Sequence, residues 1–441
     1  MVVKEGSLEA PQRHAIDWQN PDFYDESALN QELHRVYDVC HGCRRCFNLC
    51  HAFPTLFDLI DESKTGELDS VDVAQYGQVV DQCYLCDMCF LTKCPYVPPH
   101  PLNIDFPHLM LRAKAVKHKK HGARFRDRLL SNTDLMGKLA SIPVVVKMVN
   151  GTLHSTTARK MLDSTLGIHK DRRLPHYHSS TFQKTAHTNE SFPVLGSLAP
   201  GKVAIYATCY INYNEPSIGL DLLKVLEHNQ VPVRMVEKEA CCGMPKLELG
   251  DLNAVERLKE INIPPLAKLA REGYAILAAV PSCVLMYKQE LPLLFPDDDD
   301  VRAVAQAFYD PFDYLLLRHK EGLLKTDFKQ GLGKISYHVP CHQRVQNIGL
   351  KTRDLLQMVP DTSVSTVERC SGHDGTWGVK SEFFEKSMQI GKPVFKLMSE
   401  SQPDFISSDC AIAARQIHQG MGSAAPPKHH PITLIKMAYG L

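Results

Sequence analysis

The second half of the chain alternates short apolar runs with longer segments of mixed apolar and polar residues. The apolar runs occupy 202–209, 231–236, 276–283, 334–341, 363–367 and 405–410. Short apolar runs bounded by turn residues predict buried strands, and strands that alternate with helices predict a mostly parallel sheet. We therefore predict an α/β architecture for this half.

The same order of elements occurs twice in this half, which divides it into two repeats, 201–320 and 321–441. In each repeat a cysteine follows every predicted strand. These cysteines are Cys209, Cys241, Cys242 and Cys283 in the first repeat and Cys341, Cys370 and Cys410 in the second. Sites in parallel sheets lie off the carboxyl ends of the strands, so we expect the cysteines of each repeat to meet at one rim.

The first half lacks this alternation and shows helical periodicity instead. Phe53–Asp61 and Ser70–Val80 have the apolar spacing of helices, at least in part, whereas four prolines exclude a helix from Pro95–Pro101. We predict an α-helical domain at 29–105, preceded by an extension at 1–28.

Residues 106–200 combine a basic segment with an apolar one. Lys and Arg are frequent at 112–128, and apolar residues predominate at 129–150. This order suits either an anionic membrane surface or a solvated helix face followed by a helix packed on the next domain. Both interpretations stay open, and the second is favoured. Residues 151–200 are rich in Ser, Thr, His and Pro, which predicts an irregular connector.

Charge and targeting signals restrict the function classes. The 441 residues contain 50 Lys+Arg and 50 Asp+Glu, for a formal net charge of +0, which is not typical of a nucleic-acid-binding protein. The first residues contain no apolar run of signal-peptide length, and no run of 18 apolar residues occurs. We therefore expect a cytoplasmic protein, with peripheral attachment to the inner membrane left open.

Eight of the 15 cysteines crowd into residues 40–94, in two similar motifs. Cys40–Cys50 reads C-x2-C-x2-C-x3-C, and Cys83–Pro95 reads C-x2-C-x2-C-x4-C-P. In a protein that is not exported, dense cysteines indicate metal binding rather than disulfides. Three closely spaced thiolates surround one face of a cubane, and in two-cluster ferredoxins the distal cysteine binds the other cluster.

We therefore predict two [4Fe–4S] clusters in this region. The first is assigned to Cys40, Cys43, Cys46 and Cys94, and the second to Cys83, Cys86, Cys89 and Cys50. Zinc is the alternative, because C-x2-C pairs also bind zinc. Two triplets, each followed by a distal cysteine, match zinc poorly, since one zinc ion takes four ligands in total.

The motifs together resemble a known protein family. The order Cys…Cys-Cys-Gly…Cys resembles the cysteine-rich CCG domain of heterodisulfide reductases, and the spacing of the N-terminal helices resembles the ferredoxin domain of succinate dehydrogenase iron–sulfur subunits. The whole arrangement resembles one family of subunits of anaerobic glycerol-3-phosphate dehydrogenase, to which glycolate oxidase and lactate-utilisation iron–sulfur subunits are related. The resemblance implies a multidomain α+β protein, with a helical ferredoxin domain followed by two parallel-sheet CCG domains.

Both repeats depart from the complete CCG pattern of five cysteines. Met286 stands where the last cysteine of the first repeat would fall, and Ser371 and Ala413 replace two cysteines of the second. We expect the first repeat to be able to hold a third iron–sulfur cluster. In the second, a histidine completes the ligand set, or the repeat is a decayed copy retained for packing. The candidate histidines are His338, His342 and His373.

The resemblance implies that the chain relays electrons between a flavin-containing dehydrogenase and a quinone or another redox acceptor. No G-x-G-x-x-G follows a predicted strand, so a flavin or nicotinamide cofactor is expected on a partner. Two alternatives stay open. One is a disulfide reductase-like enzyme acting at the Cys241–Cys242 doublet, and the other is a zinc-stabilised scaffold without a redox role. No catalytic residue is assigned.

Overall fold

The computed structural model describes residues 6, 9–92 and 94–441. The chain forms two compact units. The smaller unit contains Met1–Arg124 with two short later segments, Pro245–Val255 and Leu293–Pro296, and the remaining residues form the larger unit.

The smaller unit is built from helices, as the sequence predicts. The helices are α1 (Glu26–Cys43), α2 (Ala52–Asp61), α3 (Tyr76–Gln82), α4 (Met88–Thr92) and α5 (Phe106–His121). Carboxylates cap two of them: Asp25 accepts the Ala28 N–H of α1, and Asp105 accepts the His108 N–H of α5. The helix predicted at Ser70–Val80 begins only at Tyr76.

The basic segment forms much of α5, and acids or an aromatic ring pair with its lysines. Lys117 lies 2.7 Å from Asp81, Lys120 lies 2.9 Å from Glu26, and Lys119 stacks over the Tyr24 ring. These are contacts of a solvated helix face. No helix in the described part of the chain combines the length and the apolar character needed to cross a bilayer.

The larger unit starts with five further helices. They are α6 (Phe125–Ser131), α7 (Thr133–Ala140), α8 (Pro143–His154), α9 (Thr156–Leu166) and α10 (Phe182–Thr185). The prediction of an irregular connector at 151–200 is therefore wrong for α9. The Ser155 hydroxyl caps the start of this helix, and Gly167, in the left-handed conformation (φ 61°), ends it.

The first repeat is a four-stranded parallel sheet. Its strands are β1 (Lys202–Ile205), β2 (Val233–Met235), β3 (Tyr274–Leu277) and β4 (Phe308–Tyr309), in the order β2-β1-β3-β4. Its helices are α11 (Cys209–Tyr213), α12 (Pro216–His228), α13 (Met244–Leu247), α14 (Leu252–Arg271), α15 (Pro281–Leu285), α16 (Leu291–Leu294), α17 (Asp299–Ala307) and α18 (Pro311–Lys320).

The second repeat has the same topology. Its strands are β5 (Gly333–His338), β6 (Thr362–Val367), β7 (Phe405–Ser408) and β8 (Lys428–His429), in the order β6-β5-β7-β8, all parallel. Its helices are α19 (Cys341–Arg344), α20 (Lys351–Leu356), α21 (Ser381–Glu400), α22 (Ala411–Met421) and α23 (Pro431–Tyr439). The predicted fold class, a helical region followed by two parallel-sheet repeats, is confirmed.

One apolar core extends through both repeats. It includes Val203 and Leu226 of the first repeat and Tyr337 and Ile435 of the second, all almost fully buried. Between α12 and α23, the buried Asp221 accepts hydrogen bonds from Thr433 and Lys436. The shared core fixes the two repeats relative to each other.

Candidate metal centres

The first N-terminal quartet of cysteines gathers around the end of α1. Cys40 lies in the last turn of this helix and Cys43 is its final residue, while Cys46 and Cys94 lie in the turns after α1 and α4. Burial, and then the neighbouring thiols of Cys94, Cys46 and Cys43, raise the pKa of Cys40 well above its ordinary value. The four side chains assigned to one cluster thus lie within electrostatic reach of one another.

The second quartet gathers around Cys89. Burial raises the pKa of this thiol well above its ordinary value, and the thiols of Cys86, Cys83, Cys46 and Cys50 raise it further. Two cysteines of the first motif, Cys46 and the distal Cys50, thus lie within electrostatic reach of Cys89. Cys46 belongs to the other quartet, so the two quartets are close enough to interact.

The turn that carries the second quartet has an unusual backbone. Leu85 and Asp87 both adopt the left-handed conformation, with φ of 54° and 62°. Non-glycine residues take this conformation at a cost and persist in it where surrounding contacts hold them. Arg13 supplies such contacts: its guanidinium makes two hydrogen bonds to the Asp87 carboxylate, at 2.8 and 3.0 Å. A third contact of 3.1 Å joins Arg13 to Asp105.

The chemistry of both quartets fits iron–sulfur clusters. Buried thiols with raised pKa values hold their protons until a cation replaces them, and metal ions do this on binding. Within residues 6, 9–92 and 94–441, no three His, Cys, Asp or Glu side chains converge closely enough to share one metal ion. The cysteines of a cubane bind different iron atoms, so they need not converge on one ion.

The cysteines of the first repeat form a continuous chain of thiols. Cys209 follows β1, the Cys241–Cys242 doublet follows β2, and Cys283 follows β3. The Cys209 side chain hydrogen-bonds to Cys241, and Cys242 hydrogen-bonds to Cys241 and to Cys283. The hydrogen bonds from Cys209 and Cys242 lower the pKa of Cys241 well below its ordinary value. The carboxyl ends of three strands thus bring the four thiols together.

The cysteines of the second repeat have different neighbours. Cys341 begins α19, Cys370 precedes the Ser371–Gly372 turn, and Cys410 precedes α22. Burial raises the pKa of Cys410 to about 11, and the charges that raise it further belong to the carboxylates of Asp374 and Asp409. The charged neighbours of Cys410 are thus carboxylates, whereas those of Cys241 in the first repeat are thiols.

Comparison with known proteins identifies both repeats. The sequence model of the CCG family, a cysteine-rich domain, matches residues 203–288 and 335–417. The two repeats are CCG cysteine-rich domains. The resemblance of these repeats to CCG domains is thereby confirmed, and the matched segments include all seven cysteines of the two rims.

The chain is also similar to subunits of a dehydrogenase and a reductase and to a lactate utilization protein. It is 28% identical to a subunit of the anaerobic glycerol-3-phosphate dehydrogenase of Escherichia coli, over 77% of this chain and 83% of that protein. It is 23% identical to a subunit of the fumarate reductase (CoM/CoB) of Methanothermobacter marburgensis, over 69% of this chain and 60% of that protein. It is 29% identical to lactate utilization protein A of Bacillus cytotoxicus, over 47% of this chain and 87% of that protein.

Polar side chains outside the cysteine motif hold the doublet of the first CCG domain. Asp134 of α7 accepts the backbone N–H of Cys241. Asn262 of α14 holds the same turn from both sides, accepting the Ala240 N–H at 2.8 Å and donating to the Cys241 carbonyl at 3.0 Å. Asp134 and Asn262 could not be found from the sequence, because neither belongs to a motif and both come from helices distant in sequence.

Two half-buried carboxyl groups lie at the first rim. Burial, and then the Cys241 charge, raise the pKa of Asp134 to about 6. Burial raises the pKa of Glu239 to about 8, although Glu239 accepts hydrogen bonds from Ala207 N–H and Gln183, both at 2.9 Å. Thiols and carboxyl groups that give up their protons to a cation are suited to binding iron.

Two of the candidate histidines in the second CCG domain have definite hydrogen-bond partners. Both ring nitrogens of His338 are engaged, one with Ser408 at 3.0 Å and the other with the Arg369 carbonyl at 2.9 Å. His342 bonds to Ser282, at 2.7 Å. His338 is therefore poorly placed to bind a metal in this arrangement.

A buried carboxyl network lies directly before Cys410 in the second CCG domain. Asp409 contacts the hydroxyl groups of Tyr337 and Thr352, and Tyr337 also lies 2.9 Å from the Gln343 amide oxygen. Burial, and then the charge of Asp310, raise the pKa of Asp409 to about 7. Tyr337 has one proton to donate, so a protonated Asp409 satisfies the network when Tyr337 donates to Gln343.

Proposed function

We propose that this chain is an iron–sulfur electron-transfer subunit that passes electrons from a flavin-containing dehydrogenase to a quinone or another redox acceptor. The observation that carries the proposal is that the two N-terminal quartets lie within electrostatic reach of each other. The Cys46 thiol of one quartet contributes to the raised pKa of Cys89 in the other. Bound clusters would supply one-electron chemistry, and neighbouring clusters allow electrons to pass between them.

We assign the ligands as the sequence motifs suggest. Cys40, Cys43, Cys46 and Cys94 hold one [4Fe–4S] cluster, and Cys83, Cys86, Cys89 and Cys50 hold the second. The chain of four thiols in the first CCG domain is the proposed place of a third iron–sulfur cluster. Its ligands are Cys209, Cys241, Cys242 and Cys283. Two relatives are named as subunits of a dehydrogenase and of a reductase, and this supports a redox partner for the chain.

Peripheral membrane attachment is part of the proposal, because a quinone acceptor lies in the bilayer. Support comes from exposed apolar side chains on α7 and α8. These are Leu135, Leu139, Val144 and Met148, with exposed fractions between 50% and 72%. Flotation with anionic lipid vesicles tests this part. We expect the wild-type protein to float and Val144→Glu to float less, whereas equal flotation of both would contradict it.

The decisive experiment is the iron and acid-labile sulfide content of anaerobically purified protein, with electron paramagnetic resonance of both redox states. About eight irons per chain correspond to the two N-terminal clusters, and about twelve add a cluster in the first CCG domain. Cys241→Ala should remove only the additional iron. Cys370→Ala is the matched control in the second CCG domain and should leave the iron content unchanged. A protein without iron or sulfide would refute the proposal.

Electron transfer itself is tested with the partner. Reduction by a co-purifying flavoprotein dehydrogenase and its substrate should bleach the visible absorption of the clusters. Cys40→Ser and Cys89→Ser should each impair this bleaching, because each removes one ligand of a different quartet. Full reduction of both variants at the wild-type rate would contradict the relay.

A disulfide reductase-like enzyme is the second candidate function. It is favoured by the lowered pKa of Cys241, because a thiolate is the form of cysteine that attacks disulfides. Reduction of a small disulfide by chemically reduced protein, lost in Cys241→Ala, would support it. Turnover that persists in this variant would exclude it.

A further inference from the structure

An arginine is buried in the second CCG domain without an acidic partner. Arg172 has an exposed fraction of only 4%. Its guanidinium donates to the Ser387 hydroxyl at 2.8 Å and to the Gln416 amide oxygen, and both of these acceptors are neutral. No carboxylate lies within ion-pair distance of Arg172 in the described part of the chain, and its Nε has no hydrogen-bond acceptor there.

A buried guanidinium without an anionic partner is unfavourable, even where it also lies over an aromatic ring, as Arg172 does over Phe384 at 4.8 Å. Arginine does not release its proton in proteins, and an unpaired ion in the interior loses several kcal/mol of hydration free energy. Proteins therefore place such a cation where an anion balances it. For Arg172, that anion is not supplied by the described side chains.

The arginine belongs to the rim at which this domain departs from the complete CCG pattern. Gln416, which accepts from Arg172, donates to the Ser371 carbonyl at 2.8 Å. Ser387 donates to the Gly372 carbonyl at 2.6 Å. Ser371 stands where the complete pattern has the second cysteine of the doublet. Arg172 thus supports the turn that has lost a metal ligand.

Further cationic groups surround the same turn. Charges of Arg172 and Arg415 both act on His373, whose exposed fraction is 7%. Lys428 lies close enough to Arg415 for the two charges to interact. The acids named in this region are Glu215, which pairs with Arg415, and Asp374 and Asp409, whose charges act on Cys410.

The two CCG rims therefore differ in the ionisable groups that surround them. Half-buried Asp134 and Glu239 accompany the four thiols of the first rim, whereas Arg172, Arg415 and Lys428 outnumber the acids around the Ser371–Gly372 turn of the second rim. The same fold is thus suited to a cation in one domain and to an anion in the other, because opposite charges attract strongly where water is excluded. The loss of two cysteines from the second domain agrees with this difference.

We propose that the second CCG rim binds a small oxyanion, such as a carboxylate or phosphate group, through Arg172, Arg415 and His373 in place of an iron–sulfur cluster. Arg172, which has no acidic partner, balances the negative charge, and Arg415 adds a second guanidinium that also pairs with Glu215. A neutral His373 donates a ring N–H to an oxygen atom. Free anions and the anionic part of a larger molecule share this chemistry. The proposal does not depend on the electron relay, since it concerns residues that bind no cluster.

Isothermal titration calorimetry on the iron-loaded protein tests the proposal. The probes are inorganic phosphate and malonate, with chloride at matched ionic strength as the reference. We expect saturable binding of at least one oxyanion and none of chloride. Arg172→Gln should weaken this binding roughly ten- to hundredfold, because it removes a charge-assisted hydrogen bond. Arg173→Gln is the matched control, since Arg173 is exposed, and its affinity should equal that of the wild type.

Two further measurements keep the test decisive. Should Arg172→Gln fail to fold, Arg415→Gln should weaken oxyanion binding in the same way while Arg173→Gln does not. Absence of saturable binding to the wild-type protein would refute the proposal. Iron that is lost in Cys370→Ala would also refute it, because the arginines would then compensate an anionic cluster. If the N-terminal quartets hold no iron, the electron relay is refuted. The oxyanion proposal still stands in that case, provided that the protein binds the oxyanion.

Discussion

Removal of the Arg13 side-chain charge should destabilise the smaller unit and the second quartet together. Arg13 is 11% exposed and Asp87 is 6% exposed in their side chains, so their ion pair is largely shielded from water. The guanidinium also contacts Asp105 and lies 4.4 Å from the centre of the Phe90 ring. Arg13→Met keeps most of the aliphatic stem and removes the charge.

The expected loss in the free energy of unfolding follows from the carboxylates that lose their partner in Arg13→Met. Breaking a buried ion pair by removal of one partner costs about 3–5 kcal/mol, because the other charge stays buried and unpaired. Asp87 would then no longer be held in its left-handed conformation between Cys86 and Cys89. We expect a loss of this size in the free energy of unfolding, and a loss of roughly half of the N-terminal iron.

The assay is chemical denaturation of the smaller unit's helices, followed by circular dichroism, with iron determination on the same samples. Lys117→Met is the control, because Lys117 and Asp81 form an ion pair with side chains that are 56% and 47% exposed. Exposed pairs contribute about 0–1 kcal/mol. An effect of Arg13→Met no larger than that of Lys117→Met would refute the reasoning.

Three further predictions concern the larger unit. Burial raises the pKa of Asp409 from its ordinary value of about 4 to about 7. Protonated Asp409 therefore contributes fully to the free energy of unfolding below pH about 4, and this contribution is lost as the pH rises through about 7. Asp409→Asn, which mimics the protonated form, should therefore flatten the decline of the unfolding free energy between pH 5 and 8, and an unchanged slope would contradict this. A Cβ at Gly137 would lie 2.1 Å from a Tyr213 ring carbon, so Gly137→Ala should cost about 1–3 kcal/mol in denaturant titrations. Gly151→Ala, with open space around its Cβ, should be neutral or stabilising. Asp134→Asn should raise the reduction potential of a cluster in the first CCG domain at pH 8, by on the order of 100 mV in a redox titration, because it removes a nearby negative charge; an unchanged potential would contradict this.

Several structural features could not be predicted from the sequence. The strands β4 and β8 contain only two residues each, too few to form a recognisable apolar run. Helix α9 lies in a polar segment, where its caps rather than its apolar pattern define it. Arg13, Asp134 and Arg172 belong to no motif, because their roles depend on partners that are far away in the sequence.

The sequence by itself determined the order of strands and helices, the duplication and the positions of the cysteines. These features depend on local spacing, since strand periodicity and short cysteine motifs are properties of neighbouring residues. Only the tertiary structure decided which ionisable groups surround each rim. Charges such as those of Asp134 and Arg172 acquire their effect through burial, and burial depends on which distant segments the fold packs together.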